Sequence, residues 1–241
     1  MMDTVKIENK GSCRIIAHRG VSGLEPENTV AAFVAAGNRS YFGIETDVHV
    51  TKDGHYVVNH DGDLRRVAGV DLVIKDATLA EIQAVPLLDT DGVSHRSDLR
   101  VPLLSDYIGI CRRYEKEAVL ELKNDIAPAH IAGIVAVIRE AGWLDRTTFI
   151  SFHPDNLLRL RAVLPEARAE FLPSENAEWI FRFVMENRFG LDIYHKALTK
   201  EMVDTAHAAG LTVNCWTVDT PEDAARMLAL GVDEITTNVM E

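Results

Sequence analysis

From residue 118 to the C-terminus the chain keeps a rhythm that few folds can satisfy, in which short apolar runs alternate with helix-period segments. AVLEL (118–122), TTFISF (147–152), ARAEFL (167–172), LDIYH (191–195), LTVNCWTV (211–218) and DEITTN (233–238) read as six strands with a helix between each pair. Pro154 and Pro221 suit first helical turns, where an amide is unpaired anyway, and Gly142, Gly190, Gly210 and Gly231 suit C-terminal caps. Adding RIIAH (14–18), the helix TVAAFVAAG and GIETDVHV (43–50) brings the count to eight strands. Successive strands joined by helical crossovers run parallel, and eight of them close into an α/β (β/α)8 TIM barrel. A doubly wound open sheet is the alternative, but the first strand-to-helix turn lacks the G-x-G-x-x-G pattern.

Residues 61–103 are polar, turn-rich and weakly periodic, and are expected to be a small insertion after the second strand of a single domain spanning residues 1–241. The chain ends three residues after DEITTN, so the last strand has almost no helix behind it. Either the first dozen residues or a second copy, in a homo-oligomer, is expected to cover that seam.

The bulk numbers exclude several classes of function. No apolar run of 18 residues is present, and MMDTVKIENKGSCRII lacks the basic and apolar regions of a secretory signal, so a soluble cytoplasmic protein is expected. A formal net charge of −12 argues against a nucleic-acid partner, whose phosphates need clustered Lys and Arg. Cys13, Cys111 and Cys215 are far apart and include no C-x-x-C pair, and read as reduced thiols.

In a barrel of this type, function sits at the C-terminal ends of the strands. His18 and Arg19 end the first strand. On the second, Glu45 and Asp47 are two residues apart and share a face, so their carboxylates converge. Two anions side by side prepare a site for a hard divalent cation such as Mg²⁺ or Ca²⁺. Asp53-Gly54 reads as a two-residue hairpin turn, in which facing residues sum to 107 and His60 comes opposite Asp47. On the next barrel strand Glu121 and Lys123 share a face, adding a third carboxylate and an ammonium to the mouth. So many charges in one place are costly unless they serve chemistry.

In order, AHRG, PENT, ETDVHVTKDG, VVNHD, LELK and the closing VNCWTVD and GVDEITTN resemble the glycerophosphodiester phosphodiesterases from about residue 14 to the C-terminus. The resemblance implies a metal-dependent hydrolase that converts glycerophosphodiesters to sn-glycerol 3-phosphate and an alcohol. It implies one divalent ion (Mg²⁺, Ca²⁺ or Mn²⁺) on Glu45, Asp47 and Glu121, with His18 and His60 as catalytic histidines, His18 read as the base and His60 as the acid. Arg19 and Lys123 match phosphate-binding positions, and Trp216 an aromatic beside the glycerol. By similarity to barrel phospholipases the nucleophile is the glycerol 2-hydroxyl, giving a cyclic phosphate, with direct attack by water as the alternative. Asn28 reads as the cap of the following helix, with bracing of Arg19 as a second role. His49, His55 and His153 read as supporting or surface groups. Thr237-Asn238-Val239 departs from the Thr-Asp-x-Pro that closes many members. A lysophospholipase D, with its acyl slot near VAGVDLVI, and a non-catalytic phospho-ligand-binding barrel are the rival functions.

Overall fold

Each barrel strand sorts its side chains onto two faces, because successive Cβ atoms of a strand point opposite ways. In a computed structural model describing residues 3–241, strand β1 (Arg14–Ala17) sends Ile15 and Ala17 into the main core and Ile16 into a separate interior cluster with Val119, Ile150 and Leu172. The same alternation recurs around the barrel, so helices cover one set of side chains and the other set fills the middle.

After β1 come α1 (Val30–Gly37), β2 (Gly43–Val50), β3 (Tyr56–Val58), α2 (Arg65–Ala68), α3 (Leu79–Gln83) and α4 (Leu104–Arg113). Then follow β4 (Glu117–Leu122), α5 (Pro128–Glu140), β5 (Thr147–Ser151), α6 (Pro154–Val163), β6 (Arg168–Phe171) and α7 (Glu178–Asn187). The chain ends with β7 (Gly190–Tyr194), α8 (Lys200–Ala208), β8 (Val213–Trp216), α9 (Pro221–Leu230) and β9 (Glu234–Thr237). The pairing order β1-β9-β8-β7-β6-β5-β4-β2 returns from β2 to β1, with Ile16 beside Gly43 and Arg14 beside Glu234, and closes eight parallel strands into a (β/α)8 barrel. Among the described residues, no helix is long and apolar enough to cross a membrane.

Helix α4 has no counterpart in the sequence reading above. Its signal is present nonetheless: Leu104, Tyr107, Ile108 and Cys111 fall at helical spacing and are all buried. The Tyr107 hydroxyl donates to the Ile44 carbonyl at 2.7 Å, tying this helix to β2. Residues 61–103 carry α2, α3 and a small core of their own that includes Leu64, Ala68, Ile74, Ile82, Leu87, Leu99 and Val101. At the seam, the Val5 amide donates to the Val239 carbonyl at 2.9 Å and that of Ile7 to Glu241, while Met240 is fully buried. Residues 5–7 therefore lie along the end of the chain.

Two local expectations need correction. Gly190 is not a helix cap but the first residue of β7; α7 ends on Arg188 in the left-handed conformation (φ +53°). A Cβ on Gly190 would come within 2.7 Å of the Glu170 side chain, which is why glycine stands there. The hairpin turn is also longer than two residues. Thr51 pairs with His55, His49 with Val57 and Val50 with Tyr56, so Lys52, Asp53 and Gly54 form a three-residue loop with Gly54 at φ +82°. Thr51 stabilises it, donating its hydroxyl to Asp53 at 2.6 Å and accepting the His55 amide at 2.9 Å. Facing residues consequently sum to one less than expected, and Asp47 faces Asn59 rather than His60.

Gly20, just past His18 and Arg19, turns the chain with φ +77°, and a Cβ there would lie 2.7 Å from the backbone of Ala32. Gly20→Ala is expected to destabilise the fold by about 1–3 kcal/mol, the range for overpacking a filled site. Urea denaturation reads this as a lowered midpoint, and an unchanged midpoint would contradict the close approach.

Candidate active site

The parallel register of β2 and β4 places Asp47 directly beside Glu121, and strand alternation puts Glu45 on the same face of β2. Oxygens from Glu45, Asp47 and Glu121 all lie within 4.8 Å of one another, and all three residues are buried. Two cations reach them. Lys123 Nζ is 3.0 Å from Glu121 and 3.4 Å from Asp47, and Arg19 Nε is 3.6 Å from Asp47. Three carboxylates meeting two cations leave a deficit of positive charge.

The protonation balance reflects that deficit. Burial, then the Asp47 and Glu121 charges, push the Glu45 carboxyl well above the ordinary range. Burial and Asp47 likewise push Glu121 up to about 8. Burial acts upward on Asp47 too, but Lys123 and Arg19 outweigh it and hold this carboxyl below its usual value. Asp47 Oδ1 is buried without a hydrogen-bond partner. Carboxylate oxygens, converging and short of positive charge, are the donor set a hard divalent cation takes, so the residues fit such an ion.

His18, at the end of β1, holds its backbone amide to the Thr237 carbonyl at 2.8 Å, and its Nε2 is 4.0 Å from Glu45 Oε2. Burial and the adjacent Arg19 lower its pKa to about 4. Arg19 adopts φ +53°, which lets its amide donate to Glu45 at 2.8 Å while its guanidinium donates to Glu27 at 3.0 Å. His60 lies two residues beyond β3. It lines the same cavity of about 80 Å³ as His18, Arg19, Glu45, Glu121 and Trp216, so the shifted register does not take it from the mouth. Its Nδ1 is 2.7 Å from Asp61, and its carbonyl is 3.2 Å from His49 Nε2. Trp216 ends β8 and packs edge-on against Phe152 at 5.5 Å.

Asn28 is not the cap of α1, a role taken by Thr29, whose hydroxyl accepts the Ala32 amide. Buried in the left-handed conformation at φ +54°, Asn28 instead donates to Asp47 Oδ2 at 2.8 Å and accepts from Thr46. Its amide also donates to the Arg19 carbonyl at 2.9 Å, so it braces both sides of the cluster. His49 is buried, His55 is half exposed, and His153 is exposed at the start of α6. Glu27, Asp61 and Asn238 are polar neighbours of the site that strand periodicity gives no means of finding, because they lie in loops.

Comparison with known proteins finds relatives that cover most of the chain. The chain is similar to a glycerophosphodiester phosphodiesterase of Caldanaerobacter subterraneus, with 31% identity over 93% of both chains. It superimposes on an Oleispira antarctica phosphodiesterase, solved in complex with the product sn-glycerol-3-phosphate, with a TM-score of 0.87 and 27% identity over 94% of this chain and 93% of that one. A human lysophospholipase D is 39% identical over 98 residues, which span 38% of this chain and 31% of the human protein. The sequence model of the glycerophosphoryl diester phosphodiesterase family matches residues 18–241, and the chain belongs to that family.

Proposed function

We propose that the protein hydrolyses glycerophosphodiesters to sn-glycerol 3-phosphate and an alcohol, using one divalent ion on Glu45, Asp47 and Glu121 and proton transfer by His18 and His60. The observation that carries this reading is the buried triad of carboxylates with two imidazoles lining one cavity at the barrel mouth. A phosphodiester resists attack because the nucleophile meets negative charge and the leaving alkoxide is poor. When bound, the dication would supply Lewis-acid neutralisation of the non-bridging oxygens.

The chain's own residues supply the rest. Lys123 and Arg19 present fixed positive charge beside the triad, where charge grows as the ester is attacked. His18 Nε2, near Glu45, accepts the proton of the attacking hydroxyl, either the glycerol 2-hydroxyl or water. Burial, with the nearby Arg19 and Lys123 charges, lowers the His60 pKa against the pull of Asp47 and Asp61, so a protonated His60 gives up its proton readily; the Asp61 carboxylate at Nδ1 orients the ring to pass that proton to the leaving oxygen. Trp216 and Phe152 offer an aromatic wall to the carbon skeleton of the glycerol.

A short leaving alcohol is favoured over an acyl-bearing one. In VAGVDLVI, Ala68 and Ile74 are buried in the insertion's own core while Val70 and Val73 are exposed, and none of these residues lines the cavity that holds His18 and His60. Glycerophosphocholine and lysophosphatidylcholine, assayed side by side with Mg²⁺, Ca²⁺ and Mn²⁺, separate the two. Release of glycerol 3-phosphate from the first and little choline from the second is expected. Turnover of the lysolipid alone would make the chain a lysophospholipase D, and binding without turnover would make it a phospho-ligand-binding barrel.

A further inference from the structure

His18 does not stand alone at the end of β1. Its Nδ1 lies 2.7 Å from Asn238 Oδ1, and Asn238 is itself held from behind by Asp219. Asp219 Oδ1 accepts the Asn238 backbone amide at 2.8 Å and the Thr237 hydroxyl at 3.0 Å, and Oδ2 accepts Asn238 Nδ2 at 2.5 Å. A carboxylate only accepts hydrogen bonds, so it fixes which end of the Asn238 amide faces it. The nitrogen turns to Asp219, and the oxygen must then turn to His18. Rotating the amide the other way would set its oxygen against Asp219 Oδ2.

The same logic passes one step further. An amide oxygen also only accepts, so His18 Nδ1 must carry the hydrogen that joins them. In the neutral imidazole the other nitrogen, Nε2, is then left as a lone pair, and Nε2 is the atom near Glu45. Ser22 sits beside this contact, its hydroxyl 2.7 Å from Asn238 Oδ1 and 2.9 Å from the His18 carbonyl. Its one proton can go to only one of these two acceptors, so the Asp219 contact, and not Ser22, decides which way the amide turns.

We propose that Asn238 and Asp219 are positioning residues that fix the tautomer and ring orientation of His18, so that Nε2 faces the ester as a base. The proposal rests on the reading of His18 as the base of the hydrolysis. Neither Asn238 nor Asp219 lines the cavity that holds His18 and His60, so both act through His18 alone. It also gives a meaning to the departure at Thr237-Asn238-Val239: the amide stands between the imidazole and the carboxylate, so no charge touches the ring directly.

The test is two-bond ¹⁵N–¹H correlation on ¹⁵N-histidine-labelled full-length protein, together with steady-state kinetics on glycerophosphocholine. The native protein is expected to show His18 with its hydrogen on Nδ1. Asn238→Ala should lose that signature and lower kcat by about 10- to 100-fold, the usual cost of removing an outer partner that orients a functional histidine. KM should stay put, because ground-state binding is untouched. Asp219→Ala, at an exposed position, should move both readouts the same way and serves in place of Asn238→Ala should that variant not fold. The pair Asn238→Asp with Asp219→Asn keeps an acceptor toward His18 and a donor behind it, and should restore the Nδ1–H signature and recover activity. An Nδ1–H signature and kcat unchanged in both alanine variants would overturn the proposal while leaving His18 as the base. Full turnover in His18→Ala would instead remove the reading on which it rests.

Discussion

His18→Ala and His60→Ala are each expected to leave the barrel folded and to lower kcat on glycerophosphocholine by at least about 10²-fold, the low end for a lost general acid or base. The structure gives the two replacements different surroundings. His18 is partly exposed, at 16% of its side chain, and is held through its backbone amide and Asn238, so its removal leaves a small void at the end of β1. His60 is about one third exposed and lies beyond β3, so circular dichroism and the denaturation midpoint of His60→Ala should match those of the native protein. Measured kcat and KM for the folded variants check the assignment. Native turnover in His60→Ala would contradict it, even though His60 lines the cavity.

The second large effect concerns charge. Without a cation, Glu45, Asp47 and Glu121 crowd negative charge into a buried space that Lys123 and Arg19 only partly offset. Chelation by EDTA is expected to reduce turnover by about 10³-fold or more, since metal-ion stabilisation of the developing charge is worth several kcal/mol. Mg²⁺ or Ca²⁺ should restore it. The same crowding predicts that Glu121→Gln, which removes one of the repelling charges while keeping the shape, raises the melting temperature of the metal-free protein. In the native protein, by contrast, Ca²⁺ at about 100 times its dissociation constant should add roughly 2.7 kcal/mol of stability by mass action. Calorimetry with and without Ca²⁺ reads both effects. A cation-induced shift that persists in Glu121→Gln would place the ion elsewhere.

Much of this architecture is legible because it is periodic. A strand of alternating faces tells which residues share a side, and so Glu45, Asp47, Glu121 and Lys123 could be brought together from spacing alone. Parallel register does the remainder, setting Asp47 beside Glu121. Loops offer no such period. The hairpin after β2 gained a residue because Thr51 bonds to Asp53 and His55, and that local hydrogen bonding outweighs the preference of an Asp-Gly pair for a two-residue turn. His60 still lines the mouth, by way of a chain path that leaves β3 rather than by strand pairing.

Asn28 shows the same limit from another side. Its residue type and its place before a helix fit a cap, but Thr29 is one residue closer and takes that role. That frees the Asn28 side chain to hold Asp47 and Thr46, contacts that depend on how α1 packs over β2 and carry no sequence period. Asn238 and Asp219 are likewise joined only by the closure of β9 onto β1 and β8. Helix α4, by contrast, carries a sequence period, since Leu104, Tyr107, Ile108 and Cys111 mark its buried face plainly.

The most direct measurement is a crystal structure of the protein soaked with Mn²⁺ and glycerol 3-phosphate, with anomalous scattering used to locate the ion. The account predicts a single strong peak coordinated by oxygens of Glu45, Asp47 and Glu121, with the phosphate between His18 and His60. A peak away from these carboxylates, or a phosphate that neither imidazole reaches, would contradict it.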